Sequence, residues 1–237
     1  MAAPELKAYF GHHKAASQWT GAILGDLAAS LGLRTLTIYG SYDWDGYPSL
    51  GAAVADASPD VLIDSNAWQV DADSLGPVRG FHMIRDPRDM IVSGYFSHRY
   101  SHPEVFAELP PHRAEQSALG IDAGLSREIE FSGQFIDAMS TWNYAQPHIL
   151  EVRMEDVIED PVAHWTAIVA HLGWPRPASD PEFSPRSSSA IPSDAWRAGA
   201  IVVISTSGIT TGVALPAIGA TTSTSSTSHR YDGAMET

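Results

Sequence analysis

The chain has 237 residues, 44% of them apolar, enough for one α/β domain with a full core, and its 14 basic against 28 acidic residues leave a net charge of −14. That balance disfavours nucleic-acid backbones and anionic membranes as partners, while the absence of cysteine excludes disulfides, thiolate metal sites and a cysteine nucleophile. No charged segment leads into an apolar core at the N-terminus, so no secretory signal is expected and a cytoplasmic location is the default.

In chain order, the first element is an apolar strand over residues 6–10 that breaks at Gly11-His12-His13-Lys14-Ala15-Ala16-Ser17-Gln18-Trp19 and leads into a helix over 17–31. A strand, a loop of small residues and a helix make a phosphate cradle, in which backbone amides approach the anion, Lys14 supplies charge and Ser17 a hydroxyl. Lys14 is one of two lysines in the chain. The loop lacks the G-x-x-x-x-G-K-[ST] pattern of nucleoside triphosphatases, and read alone it is as well explained by a turn. Further short apolar runs predict strands at 34–39, 61–64, 80–84 and 148–153, and helical patterns follow at 87–98, 125–142 and 160–172. The alternation predicts a three-layer α/β sandwich, a central parallel sheet with helices on both faces. Segments 40–51 and 100–124 are long and rich in Pro, Gly, aromatics and His, and are expected to form an acceptor pocket and its lid.

A second anion site follows the strand at 80–84, where Arg85-Asp86-Pro87-Arg88 opens a helix. Pro87 suits a first turn, free N-terminal amides add partial positive charge, and Ser93 lies about two turns beyond Arg85. In a strongly negative chain the site must be a local positive island, with Lys14, Arg85 and Arg88 to build it. His98 and His102 stand four apart and His12 and His13 are adjacent, but Pro103 ends any helix there and no carboxylate stands at a fixed spacing, so no metal is expected. An ion pair is expected for Arg153, beside Glu155 and Asp156.

Together the segments resemble the sulfotransferases, enzymes that use 3'-phosphoadenosine 5'-phosphosulfate (PAPS) as sulfuryl donor, over about residues 6–199. Lys14 to Trp19 match K-x-G-x-[ST]-x-W except for alanine at the glycine position. Arg85, Asp89 and Ser93 match R-x-x-x-D-x-x-x-S, and Val152-Arg153-Met154-Glu155-Asp156 with Asp160-Pro161 matches V-x-Y-E-D-x-x-x-D-P, with Met154 where the family has tyrosine. The resemblance implies a P-loop NTPase-like fold and in-line transfer of a sulfuryl group to an acceptor hydroxyl or amine, without a metal. It implies that Lys14 neutralises the departing oxygen, that Ala15, Ala16, Ser17 and Gln18 hold the 5'-phosphate, that Trp19 stacks on adenine, and that Arg85, Ser93 and Arg197 serve the 3'-phosphate. Family members carry a histidine base upstream of the arginine. Here Asp64-Ser65-Asn66 occupies that neighbourhood, and Asp64 is the first candidate base, with His12, His98 and Asp43 as rivals and a turn cap as its ordinary alternative role.

The acceptor is expected to be a small molecule or carbohydrate. A P-loop nucleotide kinase or hydrolase, and a nucleotide-binding protein without turnover, remain as alternatives. The resemblance stops after Ala200, where residues 201–237 become a Ser/Thr-rich, nearly uncharged tail that is expected to be disordered. Within it, residues 201–220 are too interrupted by Ser, Thr, Gly and Pro216 to be a membrane span. A natural tail and a reading-frame slip near Ile201 both account for the change.

Overall fold

The computed structural model describes residues 5–104 and 106–175. The tail expected at 201–237, and Arg197 with it, lie outside these residues. Five strands, β1 (Leu6–Phe10), β2 (Thr35–Ile38), β3 (Val61–Asp64), β4 (Val78–Ile84) and β5 (Ile149–Arg153), pair in the order β2-β3-β1-β4-β5 with every neighbour parallel. The helices are α1 (Ser17–Ser30), α2 (Leu50–Ala57), α3 (Gln69–Asp73), α4 (Pro87–Tyr100), α5 (Leu109–Ala118), α6 (Ile121–Ser140), α7 (Met154–Glu159) and α8 (Pro161–His171). Among the described residues no helix is long and apolar enough to cross a membrane.

The strands sit inside because their side chains are apolar on both faces. In the central strand β1, Tyr9 packs with Phe81, Met83 and Val61 against Trp19, Ile23 and Leu24 of α1 and Trp165 and Ile168 of α8. Its neighbours in sequence, Ala8 and Phe10, point the other way, onto Leu50 of α2 and Trp142 just beyond α6. These two cores make the three layers expected from the alternation of elements.

Strand order also fixes where a ligand belongs. From β1 the chain turns through α1 to β2 at one edge, and from β4 it runs through α4, α5 and α6 to β5 at the other. The connections diverge between β1 and β4, so a crevice opens at the C-terminal ends of those two strands, as at the switch point of any open α/β sheet. The Lys14 loop and Arg85 follow those two strand ends.

Two helices start in the same way. Asp86 caps α4 by accepting the Arg88 N–H at 2.9 Å, and Asp160 caps α8 by accepting from Ala163 at 3.0 Å, each ahead of a proline in the first turn. The segment 100–124, expected to contribute to an acceptor pocket and its lid, is more ordered than a loop. It contains α5, whose Leu109, His112 and Gln116 are buried, and it is fastened by arginines: Arg99 Nη1 donates to the Gln116 and Leu119 carbonyls at 2.6 and 3.1 Å, and Arg113 Nε to the His98 carbonyl at 2.7 Å. Pro110 and Pro111, which read as loop residues, occupy the first turn of that helix, where their missing N–H groups cost nothing. The segment 40–51 holds a 3-10 turn (Ser41–Trp44) and the start of α2.

Trp165 is fully buried and edge-on to both Trp19 and Phe81, with ring centroids 5.9 and 6.1 Å away, while its indole N–H has no acceptor among the described residues. Trp165→Ala is expected to destabilise the fold by about 3–5 kcal/mol, the usual cost of emptying a buried aromatic site. Trp165→Phe should cost clearly less, since it gives up no hydrogen bond. Denaturant titration of both variants checks this, and equal losses would show that the N–H is bonded.

Candidate functional site

The site begins where β1 ends. The chain leaves the sheet at Gly11 and reaches α1 through two non-glycine residues in the left-handed region, Lys14 at φ 63° and Ala16 at φ 59°. Ala16 occupies the N-cap of α1 and offers no capping side chain, so the first amides of the helix are left for an external acceptor. From the neighbouring strand, Arg85 reaches across the crevice and its Nη1 donates to the Lys14 carbonyl at 2.8 Å. The two segments expected to bind anions are therefore joined, and the bond helps to hold Lys14 in its unusual conformation.

Lys14 pays for this position electrostatically. Burial, and then the Arg85 charge, push its ammonium down to about 8, with Glu128 acting in the opposite sense. Ser17 and Gln18 stand in the first turn of α1 and Ala15 is buried behind the loop. Ser93 is half-buried on α4, two turns from Arg85. Glu155, from the third block of the resemblance, accepts the Asp86 N–H at 2.8 Å and so ties the start of α7 to the Arg85 turn.

Other expected residues have different surroundings. Trp19 is 9% exposed and lies in the core with its ring edge-on to Trp165, at the start of α1. Met154 is likewise buried in that core. Arg88 is exposed and paired with its own cap residue Asp86 at 2.5 Å, which leaves the positive island to Lys14 and Arg85. Arg153 has no ion-pair partner among the described residues.

The candidate bases separate cleanly. Asp64, at the end of β3 and 3% exposed, accepts the Asn66 N–H at 3.2 Å, and burial pushes its carboxyl up to about 7, helped by Asp71 and Asp43. Asp43 caps its own turn, accepting from Tyr39 and Gly40 at 2.5 and 3.3 Å. His12 is buried and bonded through Nε2 to His82 Nε2 at 2.7 Å; His82 Nδ1 meets Glu151 Oε2 at 2.7 Å, and Glu151 Oε1 takes the Trp142 N–H at 3.2 Å. Burial and then His82 push His12 down to about 3, so it is neutral.

A second polar cluster was not legible in the sequence. Glu128 of α6 is completely buried and takes four hydrogen bonds, from His98 Nδ1 (2.9 Å), Ser132 (2.5 Å), His112 (2.9 Å) and Gln116 (2.7 Å). Burial pushes its carboxyl up, but those bonds outweigh burial and hold it below the ordinary glutamate value. On the far side of His98, Nε2 lies 2.9 Å from His13 Nε2. The signal that could have found Glu128 is its phase: with Gly124 and Ser132 it falls on the inward stripe of α6, where a polar residue is unusual.

No family model matches the chain, and no curated protein matches its sequence. Solved structures do match. A mouse sulfotransferase, SULT7A1, complexed with PAP superposes with a TM-score of 0.56 at 14% identity, over 79% of this chain and 65% of that one. A retinol dehydratase in complex with androsterone and the inactive cofactor PAP gives 0.41 at 14% identity over 77% and 62%, and a sulfotransferase from Alicyclobacillus acidocaldarius 0.39 at 12% over 79% and 90%. The fold is the P-loop-like α/β fold found in sulfotransferases. The chain spans about 65% of the length of the mouse enzyme.

Two predictions follow from the loop and from Asp64. Ala16 holds the left-handed conformation that glycine adopts without strain, so Ala16→Gly is expected to raise stability by about 0.5–1 kcal/mol in denaturant titration, the steric gain exceeding the added chain entropy. A loss of stability would show that the loop is unstrained. For Asp64 the folded protein keeps its proton to about 7 whereas the unfolded chain releases it near the ordinary 3.8, so stability falls as pH rises across that window. Asp64→Asn removes this loss, and its Tm relative to wild type should rise between pH 5 and pH 8. A difference that does not vary with pH would place the Asp64 charge in water.

Proposed function

We propose that the protein is a sulfotransferase, moving a sulfuryl group from PAPS to an acceptor hydroxyl or amine. The observation that carries the reading is the Arg85 to Lys14 carbonyl bond, which makes one anion site of the segments where sulfotransferases hold the two phosphates of the donor. The fold shared with the mouse enzyme, crystallised with PAP, supports it.

In this reading the acceptor oxygen or nitrogen forms a bond to sulfur as the bond between sulfur and the bridging phosphate oxygen breaks. Negative charge grows on that bridging oxygen, where the Lys14 ammonium neutralises it. The amides of the first turn of α1 and the Ser17 hydroxyl hold the 5'-phosphate, and Arg85 with Ser93 holds the 3'-phosphate. Asp64 takes the acceptor proton, since a carboxyl tuned to about 7 is ionised often enough to accept it and basic enough to keep it. Tyr39, whose carbonyl meets Asn66, and Trp68, four residues beyond Asp64, are exposed near the end of β3 and suit a small-molecule or carbohydrate acceptor with flat apolar faces. Asn66 joins the two parts by donating to the Tyr39 carbonyl at 2.6 Å.

A P-loop kinase or hydrolase is the second reading. It is favoured by Asp64 alone, a carboxyl at the end of the strand beside β1, where such enzymes place a magnesium-binding aspartate. Calorimetry separates the two. The protein should bind 3'-phosphoadenosine 5'-phosphate in the presence of a chelator, and Arg85→Ala should weaken binding by about 2–3 kcal/mol, the scale of charge-assisted bonds to a phosphate. Affinity for nucleotides that is indifferent to the 3'-phosphate, or that appears only with magnesium, would sink the sulfotransferase reading.

Lys14 adds a pH dependence of known sign. Because the free protein loses the Lys14 proton near pH 8, nucleotide affinity should fall as pH rises through about 8, and this fall should be absent in Lys14→Ala. With an acceptor in hand, Lys14→Ala should lower turnover far more than it weakens product binding.

A further inference from the structure

Beside the anion loop, three histidines from two distant parts of the chain come together. His13 precedes Lys14 in the loop, and His98 and His102 lie at the end of α4 and just beyond it. One ring nitrogen from each lies within 4.8 Å of the other two. We infer that His13, His98 and His102 form a binding site for a divalent transition metal of the zinc class, with Glu128 orienting His98 and the fourth coordination position left open beside the Lys14 loop.

The hydrogen bonds around the cluster leave the right atoms free. His98 gives Nδ1 to Glu128 at 2.9 Å, so its proton sits on that side and Nε2 keeps its lone pair. His102 gives Nδ1 to the Pro103 carbonyl at 2.9 Å, which leaves Nε2 in the same state. A carboxylate and a backbone carbonyl behind two imidazoles are the partners that metal-bound histidines use to fix tautomer and orientation. His13 completes the set with Nε2 at 2.9 Å from His98 Nε2, its ring stacked on Phe135 at 4.6 Å between centroids. As it stands, that approach is an N–H···N hydrogen bond. An ion with bonds of about 2.0–2.1 Å would move the two nitrogens apart to about 3.3 Å and shift the His13 proton to Nδ1, a small displacement.

The protonation states agree with this geometry. Burial, then Lys14 and the other two rings, push His13 well below its ordinary value, and burial pushes His102 down to about 4, so both are neutral ligands at pH 7. The Lys14 charge opposes a cation here, and the Glu128 charge behind His98 offsets it. Glu128 also explains why His98, Glu128 and His112, which lie as close together, are not the site: both carboxylate oxygens already take two donors each. That group is the scaffold. Three imidazoles and one open position are the donor set of catalytic rather than structural zinc, and the open position borders the loop proposed to hold an anion, so water or an anionic oxygen is its natural fourth ligand.

The inference does not rest on sulfuryl transfer, and its test contains no nucleotide, so the two readings can fail separately. The full chain, stripped with chelator, is titrated with Co2+ as a spectroscopic stand-in for Zn2+, and with Zn2+ by calorimetry. One equivalent should bind with the visible bands of four-coordinate cobalt. His98→Ala and His102→Ala should lose the bands while keeping the wild-type far-ultraviolet circular dichroism, His164→Ala on α8 should keep them, and Glu128→Gln should weaken affinity by about 10–100-fold. Wild-type protein without those bands, or bands that survive in His102→Ala, would overturn the site, and the first of these results depends on no variant folding correctly.

Discussion

The bond from Arg85 to the Lys14 carbonyl is the contact on which the site depends. It places one cation against the backbone of another, and the pair sits in a chain whose net charge is −14. Burial first, and then repulsion from the Arg85 charge, bring Lys14 down to about 8. The arrangement is stable because the guanidinium spends one N–H on a carbonyl dipole and keeps the others for a ligand. An anion between them removes the repulsion. In the proposed reading, a phosphate or sulfate between the two cations would relieve that repulsion and restore the Lys14 charge.

Much of the fold could be read from local chemistry. The five strands were legible because a strand buried on both faces must be a short continuous apolar run, and β4 proved longer than its apolar run because Val78 and Arg79 pair with Leu6 and Lys7. Helices α2, α3, α5 and α7 were not legible. Two are too short to show a period, α5 opens on two prolines, and α2 is a stretch of small residues between turns. The loop and the Arg85 turn could be found because each is contiguous in sequence. Glu128, His112, His82 and Glu151 could not, since each meets its partner across tens of residues, with no fixed spacing to betray it. The burial of Trp19 was not legible for a related reason: a motif gives a residue's place in the chain, and burial depends on what α8 brings against it.

The relay of His12, His82 and Glu151 shows how the loop is supported from below. His82 stacks on Trp142 with 4.3 Å between ring centroids and joins His12, in the loop after β1, to a carboxylate on β5, so three strands of the sheet contribute to fixing where the loop leaves β1. Each member is hydrogen-bonded and Glu151 keeps partial exposure, which keeps the cost of burying the two imidazoles low. An apolar core could fill the same volume, but it would not specify the direction of the His12 ring.

Gly94 has a consequence for how such a protein can change over generations. A Cβ at that position would stand 2.4 Å from Glu128 Oε1, so the absence of a side chain on α4 is what allows a long carboxylate from α6 to reach His98, one turn further along. A side chain at 94 therefore requires the Glu128 carboxylate to shift, and that carboxylate is the end of a flexible side chain held by four hydrogen bonds. The partners of Glu128 Oε1, His98 and Ser132, are the first to feel such a shift, so a substitution at 94 reaches the ring beside the loop without touching it.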